Sequence, residues 1–373
     1  RDKLVTGVQT CALPIYPEDG RIYTRTVFRV SETFKGRLPA LVAVVHRGGS
    51  VEGRGEMDGF APQFQAGEER LVFVSRRADG TLQAARGSAS ALTLPAARTM
   101  VEQLRVKTAA GPLPGGDVTD QAVAAELLAA EASPIIPAGS IAPVSRATNL
   151  MAGSDRIPAR FILPDRGEPI PYLIDAAYLP TGISQAQAFS AVQTALAAWT
   201  NVTSLRFAFA GFQSFGRAAP NVNADDGVLR IQLHDRYNYL ATSSGDTLGQ
   251  GGLYWTYYNL TTGWTTGGNV RGNDFHQAVG GYVVLQHNSA FMQNLANFTE
   301  VLCHELGHTF GLAHSSVNPA ESNPLLKQSI MYYTAHGDGR GAQLNSLDIA
   351  VCRQVHPSTN LPPYCYDRVI DAI

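Results

Sequence analysis

One short stretch, HELGHTFGLAH at residues 304–314, constrains the fold of this chain more than any other. His304 and His308 are four residues apart, so on a helix their imidazoles lie on one face, one turn apart, where both can bind a single ion. Gly311 can adopt a positive φ, which ends the helix and turns the backbone so that His314 returns to the same ion. The stretch therefore predicts a helix that ends at a glycine and a three-histidine metal site.

The same stretch predicts which metal binds and what chemistry follows. Three neutral imidazoles at about 2.0–2.1 Å leave the fourth tetrahedral position of a zinc ion to water, which is typical of a catalytic rather than a structural site. Glu305 directly follows the first ligand, so its carboxylate is expected beside that water, where it can take a proton and later pass it to a leaving amine. A bare H-E-x-x-H arises by chance on many helices, but the complete motif fixes five positions. We therefore predict one catalytic Zn²⁺ held by the three histidines, with Glu305 as general base.

The complete motif resembles that of the metzincin metalloproteases. Members of that family have a methionine in a tight turn below the zinc, and the resemblance assigns this position to Met331 in SIMYY. An ordinary core methionine would fill the same space. Ser315 and the segments at residues 174–209 and 344–357 further resemble the matrixins. The resemblance covers about residues 161–357 and implies an α+β fold, in which a metzincin-type mixed five-stranded sheet carries an active-site helix and a C-terminal helix.

Three features depart from the matrixin pattern. Tyr333 stands where matrixins usually have proline, as in astacins and serralysins, whose tyrosine binds zinc or stabilises the oxyanion; a packed aromatic ring is the alternative role. Asp348 follows Leu347 instead of forming a pair of aspartates, and we expect it to hydrogen-bond the methionine turn. The propeptide cysteine of matrixins has no counterpart, because Cys11 falls in a segment set aside below, so latency through a thiol is not predicted.

The matrixin resemblance also implies structural zinc and calcium. His234, Asp235, His276 and His287 could supply a second zinc site, but their spacing does not match the family's loop, and surface or strand-end roles are the alternative. The pair Asp225-Asp226 could contribute to a Ca²⁺ site or simply form a turn. Calcium is therefore compatible with the sequence but is assigned to no residue.

The resemblance further implies a protein or peptide substrate that lies extended along an edge strand of the sheet and adds one strand by main-chain hydrogen bonds. GGYVVLQHN at residues 280–288 is the predicted edge strand. The side-chain pocket is expected between His314 and Met331, where SSVNPAESNPLLKQ carries no marked charge. The cleavage preference is therefore not predicted.

Residues 16–105 alternate with period two and predict a small all-β domain that precedes the zinc domain. In RIYTRTVFRVSETF, alternate residues from Ile22 to Val30 share one face, as in a half-buried strand. The pair Asp79-Gly80 lies between two strand-like runs and predicts a hairpin turn. No cluster of catalytic residue types occurs in this module, so its role is not predicted.

Residues 106–160 are rich in Ala, Pro, Gly and Ser and predict a linker with one short helix at residues 121–132, although a regulatory propeptide is the alternative. Residues 1–15 resemble a translated sequencing adapter and are excluded from the fold prediction. The natural start, with any signal peptide, is then expected to have been lost. Residues 358–373 are expected to begin a truncated C-terminal extension.

Composition limits the partners. At 373 residues the chain is long enough for two domains. Its 29 Lys and Arg residues against 31 Asp and Glu residues give a net charge of −2 without a basic cluster, which argues against nucleic acid and anionic membranes as partners. The longest apolar runs are strand-sized, far short of the roughly 20 residues of a transmembrane helix. Cys303, Cys352 and Cys365 are either reduced thiols or include a Cys352–Cys365 disulfide.

These observations predict a bacterial zinc endopeptidase that is secreted or held at the cell surface. Two alternatives remain open: an adhesion protein whose β module binds the partner and whose zinc domain is accessory, and a zinc hydrolase of non-peptide amides. Glu305 argues against the first, because a domain kept only for its shape does not need a general base. The second shares every motif and differs only in its substrate.

Overall fold

A computed structural model gives the fold for most of the chain. It describes residues 3–15, 22–51, 54–59, 61–62, 64, 68–77, 80–84, 91–93, 98, 101–102, 104–106, 113–117, 149–152, 157–222, 225–240, 247–256, 267–270 and 273–357. The helix predicted at residues 121–132 and the extension predicted at residues 358–373 lie outside these ranges. In the described part of the chain, no helix has the length and apolar character needed to cross a membrane.

The described ranges include eighteen strands and four α-helices with defined ends. The strands are β1 (Lys3–Ile15), β2 (Tyr23–Thr33), β3 (Lys35–Arg37), β4 (Leu41–Arg47), β5 (Gly49–Val51), β6 (Arg54–Asp58), β7 (Glu69–Arg76), β8 (Leu82–Ala84), β9 (Ala91–Thr93), β10 (Leu113–Asp117), β11 (Ala159–Arg160), β12 (Ile170–Asp175), β13 (Phe207–Phe212), β14 (Leu229–Gln232), β15 (Gly249–Thr256), β16 (Asn269–Val270), β17 (Asn273–Asp274) and β18 (His276–Leu285). The helices are α1 (Gln185–Thr200), α2 (Leu295–Thr309), α3 (Pro324–Lys327) and α4 (Ser346–Val355).

The first sheet has the strand order β1-β2-β4-β8-β7-β9, and an additional β1–β7 pairing closes it on itself. Strand β1, which the sequence analysis excludes, pairs with β2 over most of its length. The turn predicted between two strands lies between β7 and β8, where Gly80 has a φ of 89°. Strand β2 differs from the prediction of one buried face, because Tyr23 and Val27 are buried as well as Thr24 and Thr26.

The second sheet has the order β13-β12-β14-β18-β15-β6-β5, with β11 beside β18. Strands β13, β12, β14 and β18 are parallel, and β15 runs antiparallel to β18. These five strands are the predicted mixed five-stranded sheet, and helices α2 and α4 are the predicted active-site and C-terminal helices, so the α+β fold class is confirmed. Strands β6 and β5 extend this sheet from within the segment predicted as the separate N-terminal module.

The predicted edge strand was wrong. Residues 280–288 fall largely in β18, which lies between β14 and β15 and has no free side. Residues 281–285 of β18 are all buried, which explains the apolar run, because the side chains on both faces of a central strand are covered. The outer side of the five-stranded sheet next to β18 is formed by β15 instead, whose sequence GQGGLYWT the sequence analysis passed over.

Helices α1 and α2 pack together beneath the sheet. Helix α1 begins after its N-cap Ser184, whose side chain forms a capping box with Gln187, an arrangement worth about 0.5–2 kcal/mol. Its buried face includes Trp199, whose indole Nε1 donates to the backbone oxygen of Cys303 on α2 at 3.1 Å. This contact fixes the depth at which α2 sits, and α2 carries the first two histidines of the motif.

Cys303 and Cys352 are buried thiols without a disulfide among the described residues. Burial raises the pKa of both thiols, so neither is reactive at neutral pH. Cys365 lies outside the described residues, and the Cys352–Cys365 alternative stays a prediction.

Candidate metal centre

The three histidines of the motif converge on one point. Helix α2 carries His304 and His308, and the chain returns after the helix to bring in His314. The three Nε2 atoms are 3.1 Å (His304 to His308), 3.2 Å (His304 to His314) and 3.3 Å (His308 to His314) apart. Nitrogens bound at tetrahedral positions about 2.0–2.1 Å from one ion are roughly 3.3 Å apart. The observed spacing fits a single zinc ion.

The hydrogen bonds of the other ring nitrogens set the state of the converging ones. Nδ1 of His304 lies 2.6 Å from the backbone oxygen of Ile330, and Nδ1 of His308 lies 2.7 Å from that of Leu312. Because a carbonyl only accepts, each Nδ1 carries the proton and each facing Nε2 presents a lone pair. Burial lowers the pKa of His304 to about 4 and of His308 to about 3, and it lowers the pKa of His314 as well. Neutral imidazoles whose lone pairs point at one another form a ready cation site.

Gly311 makes this return possible, as predicted from the sequence. Its φ is 92°, and a Cβ built on it would lie 2.8 Å from the backbone oxygen of Ala159. Helix α2 ends two residues earlier, at Thr309. Leu312 then forms a bridge with Leu150. Gly311 therefore ends the helix. It also lets strand β11 approach so closely that the Cβ of any other residue type would collide with the backbone oxygen of Ala159.

Glu305 is buried on the side of α2 that faces β15. A Cβ built on Gly249 would lie 2.7 Å from its Cγ, and one built on Gly251 would overlap its backbone oxygen. The backbone N–H of Gly251 hydrogen-bonds the carboxylate, but burial and the nearby Asp58 raise its pKa well above the usual value. Gly249 thus leaves room for the side chain of Glu305, whereas Gly251 leaves room for its backbone and donates one hydrogen bond to its carboxylate.

The turn around Met331 lies below the histidines. A Cβ built on Gly307 of α2 would overlap the Met331 sulfur, so the methionine packs directly under the helix. The Asp348 carboxylate on α4 accepts from the backbone N–H of Ile330 at 2.9 Å and from the Ser329 hydroxyl. This turn includes Ile330, whose carbonyl orients His304. The structure thus gives Asp348 the contact expected of it.

Tyr333 follows the turn and is partly buried. Its ring packs edge-on against Tyr332, with centroids 5.0 Å apart, and burial raises its pKa. Within the described residues its hydroxyl makes no hydrogen bond, whereas the Tyr332 hydroxyl donates to the backbone oxygen of Asn318 at 2.8 Å. Both the packed role and the catalytic role of Tyr333 therefore stay predictions.

The residues considered for a second metal site do not form one. Only His304, His308 and His314 cluster with metal-binding spacing among the described residues. His234 contacts the Asp175 carboxylate at 3.1 Å, His276 stacks on Trp255, and the Asp235 carboxylate accepts from two backbone N–H groups. The Asp226 carboxylate forms an ion pair with the Arg230 guanidinium at 2.6 Å, which favours the turn role over the Ca²⁺ role.

Sequence reasoning missed the neighbours of the motif. The first two glycines of GQGG, Gly249 and Gly251 on β15, border Glu305, and Gly59 borders His308, because a Cβ built on Gly59 would overlap its ring. The glycine run was the visible signal, since glycines inside a strand often mark a close approach of other groups. Gly59 carried no such signal, because it lies 249 residues before His308.

A family model described as Matrixin matches residues 167–356, half of the chain. No curated protein matches the sequence. Among solved structures, the chain is similar to high choriolytic enzyme 1, a hatching enzyme zinc-protease from the medaka fish Oryzias latipes. The identity is 13% and the TM-score 0.25, and the match covers 58% of this chain and 97% of the fish enzyme.

Proposed function

The chain belongs to the matrixin family of zinc metalloproteases, and from this premise we propose that it is an endopeptidase in which His304, His308 and His314 hold the zinc and Glu305 is the general base. The observation that carries the proposal is the spacing of 3.1–3.3 Å between the three Nε2 atoms, with the ring protons of His304 and His308 held on Nδ1 by backbone carbonyls. Such a set of lone pairs repels itself unless a cation lies between them. The complete motif and the family membership both support zinc as that cation.

When bound, zinc supplies a Lewis acid that acidifies water and polarises the scissile carbonyl. The protein residues do the rest. Glu305 accepts the proton of the attacking water and delivers it to the leaving amine. Burial and the nearby Asp58 raise the pKa of this carboxylate, which makes it a stronger proton acceptor. The carbonyl oxygens of Ile330 and Leu312 fix the rings of His304 and His308, so that the ligands do not rotate away from the ion.

Strand β15 is the proposed binding surface for the peptide. It borders Glu305 through Gly249 and Gly251 and forms the side of the five-stranded sheet that is nearest to the histidines. A peptide that adds to this side would place its backbone beside the carboxylate without a side chain between them. The glycines support this proposal, since a larger residue at either position would collide with Glu305.

Substitution of the proposed base tests the assignment. Glu305→Gln keeps the size of the side chain but cannot accept the proton, so we expect kcat on a casein substrate to fall by about 10²–10⁴-fold while zinc content stays at one ion per chain. Zinc is measured by atomic absorption and turnover by release of labelled peptides. Glu168→Gln, the same change at an exposed site, should leave both values unchanged.

Two outcomes would overturn the proposal. If Glu305→Gln turned over substrate as fast as the wild type, Glu305 would not be the general base. A zinc-loaded chain that cleaves amide model compounds but leaves a broad peptide library intact would instead identify a hydrolase of non-peptide amides.

A further inference from the structure

Strand β6 occupies the proposed substrate side of β15. It runs antiparallel to β15, with Asp58 opposite Gly252 and Arg54 opposite Thr256. The backbone N–H of Gly59, directly after the strand, donates to the oxygen of Gly251 at 2.8 Å. Gly251 is also the residue whose N–H bonds Glu305. The main-chain groups that would receive a peptide beside the general base are therefore already paired with the chain itself.

The segment continues as far as the metal centre. A Cβ built on Gly59 would overlap the ring of His308, so the backbone at Gly59 lies against this histidine without a side chain between them. At the other end of β6, a Cβ built on Gly55 would overlap the indole of Trp255 on β15. Met57, between them, is 3% exposed and packs in the catalytic core. The segment lies flush against the catalytic sheet along its whole length.

Polar contacts of buried groups keep the segment in place. The side chain of Asp58, 1% exposed, accepts from Gln250 Nε2 on β15 and lies 3.7 Å from the Arg47 guanidinium. Arg47 also contacts Gln250 at 3.3 Å and stacks over the Tyr239 ring at 4.0 Å. Glu56 accepts from the backbone N–H of Ile22 at 3.0 Å, which ties β6 back to the N-terminal sheet. These bonds are all non-covalent, so the segment can be released without chemistry.

We propose that the N-terminal module is an internal inhibitor whose residues 54–59 cover the substrate side of β15 in the manner of a bound peptide. The proposal rests on the proposed function, because it assigns this side of β15 to the substrate. A strand edge that is already paired cannot add a second strand, so substrate must first displace β6. Binding is then weakened in proportion to the small fraction of molecules in which the edge is open. This device needs no propeptide thiol.

Two substitutions in the segment test the inhibition in the full-length, zinc-loaded chain. Gly55→Ala and Gly55→Val each place a side chain against the Trp255 indole, so both force the segment off β15 at the end of β6 that is distant from His308. We expect both variants to lower KM for a peptide substrate by about tenfold with little change in kcat, since only the open fraction increases. Gly80→Val is the matched control: it lies in the same module at a turn, where a Cβ would meet only the Arg76 guanidinium at 3.7 Å, and its KM should stay at the wild-type value.

Hydrogen exchange of β15 gives a second readout that does not depend on turnover. Peptides that span residues 249–256 should exchange slowly in the wild type and faster in both segment variants, because their outward amides lose β6 as a partner. Fast exchange in the wild type would overturn the inhibition, as would faster exchange in the variants without a fall in KM. Absence of turnover in all forms would instead overturn the proposed function, while exchange would still decide whether β6 covers the edge.

Discussion

At the scale of single residues, the role of Gly311 and its positive φ can be tested most directly. Replacement by alanine forces an L-residue into a left-handed conformation, which costs about 1–2 kcal/mol, and also places a Cβ 2.8 Å from the oxygen of Ala159. We expect Gly311→Ala to lower the free energy of unfolding by more than this strain alone. It should also weaken zinc binding, because the return of His314 begins at Gly311.

Gly167→Ala is the control for Gly311. Gly167 has a φ of 74°, and a Cβ built on it would meet nothing within 4 Å, so its replacement reports the backbone strain without the collision. Urea denaturation without metal and zinc titration measure the two effects separately. Equal losses of stability in the two variants, with unchanged zinc affinity, would contradict the role given to Gly311.

Local spacing in the sequence was sufficient to predict the three histidines, because a helix and one glycine fix their geometry over eleven residues. It was insufficient for Gly249, Gly251 and Gly59, since these residues reach the site through pairing of distant strands. For Asp348, the contact with the methionine turn was predicted from the family resemblance and not from the neighbouring residues in the sequence.

At the scale of elements, Glu300 joins helix α2 to the loop that follows the methionine turn. Its carboxylate accepts from the backbone N–H and from Nδ1 of His336 at 2.6 and 2.7 Å, and from the N–H of Gly337 at 3.2 Å. Burial alone would raise the pKa of Glu300, but these hydrogen bonds outweigh it and hold the pKa below the ordinary value. The ionised group therefore stabilises the fold above its unfolded pKa of about 4.3, and this stability is lost as the pH falls through the folded pKa.

We accordingly expect Glu300→Gln to lower the free energy of unfolding by about 1–3 kcal/mol at pH 7. The difference in the free energy of unfolding between wild type and variant should decrease steadily once the pH drops below about 4. Urea denaturation at a series of pH values measures it, and Glu168→Gln at an exposed site should show no gap at any pH. A gap that does not depend on pH would mean that shape, and not charge, sets the contribution of Glu300.

The elements differ in how well their sequences revealed them. The apolar patterns of strands β12, β13 and β14 and the Ser184 cap of helix α1 are local signals that a sequence displays. Strand β15 was missed because glycine is a poor strand former, and its glycines are explained by Glu305 and not by the strand. Strand β18 was recognised as a strand but placed at the edge, since a sequence does not show which strands lie beside it.

At the scale of the whole molecule, β5 and β6 join the N-terminal sheet to the catalytic sheet. The sequence predicts a separate module at residues 16–105, because composition changes only after them. Pairing between segments about 200 residues apart leaves no periodic trace in either segment. The predicted domain boundaries and the extracellular location stay predictions.

This shared sheet predicts that zinc stabilises the N-terminal module as well as the catalytic part. Zinc binds only the folded site, so free zinc at a thousandfold excess over Kd adds about 4 kcal/mol to the free energy of unfolding. If the contacts of Asp58, Glu56 and Arg47 with their partners bind the two parts into one cooperative unit, both unfold in a single calorimetric transition. A chelator should then lower the midpoint of that whole transition.

Gly55→Val tests whether the two parts unfold cooperatively or are only connected by the chain. By displacing β6 from Trp255, it should split the transition into two, of which only the one that contains α2 shifts with zinc. Gly80→Val should lower the stability of the module without splitting the transition, because it leaves β6 in place. Two transitions in the wild type, with a zinc-insensitive one that matches the module, would contradict the coupling, because a single cooperative unit that contains α2 shifts as a whole with zinc.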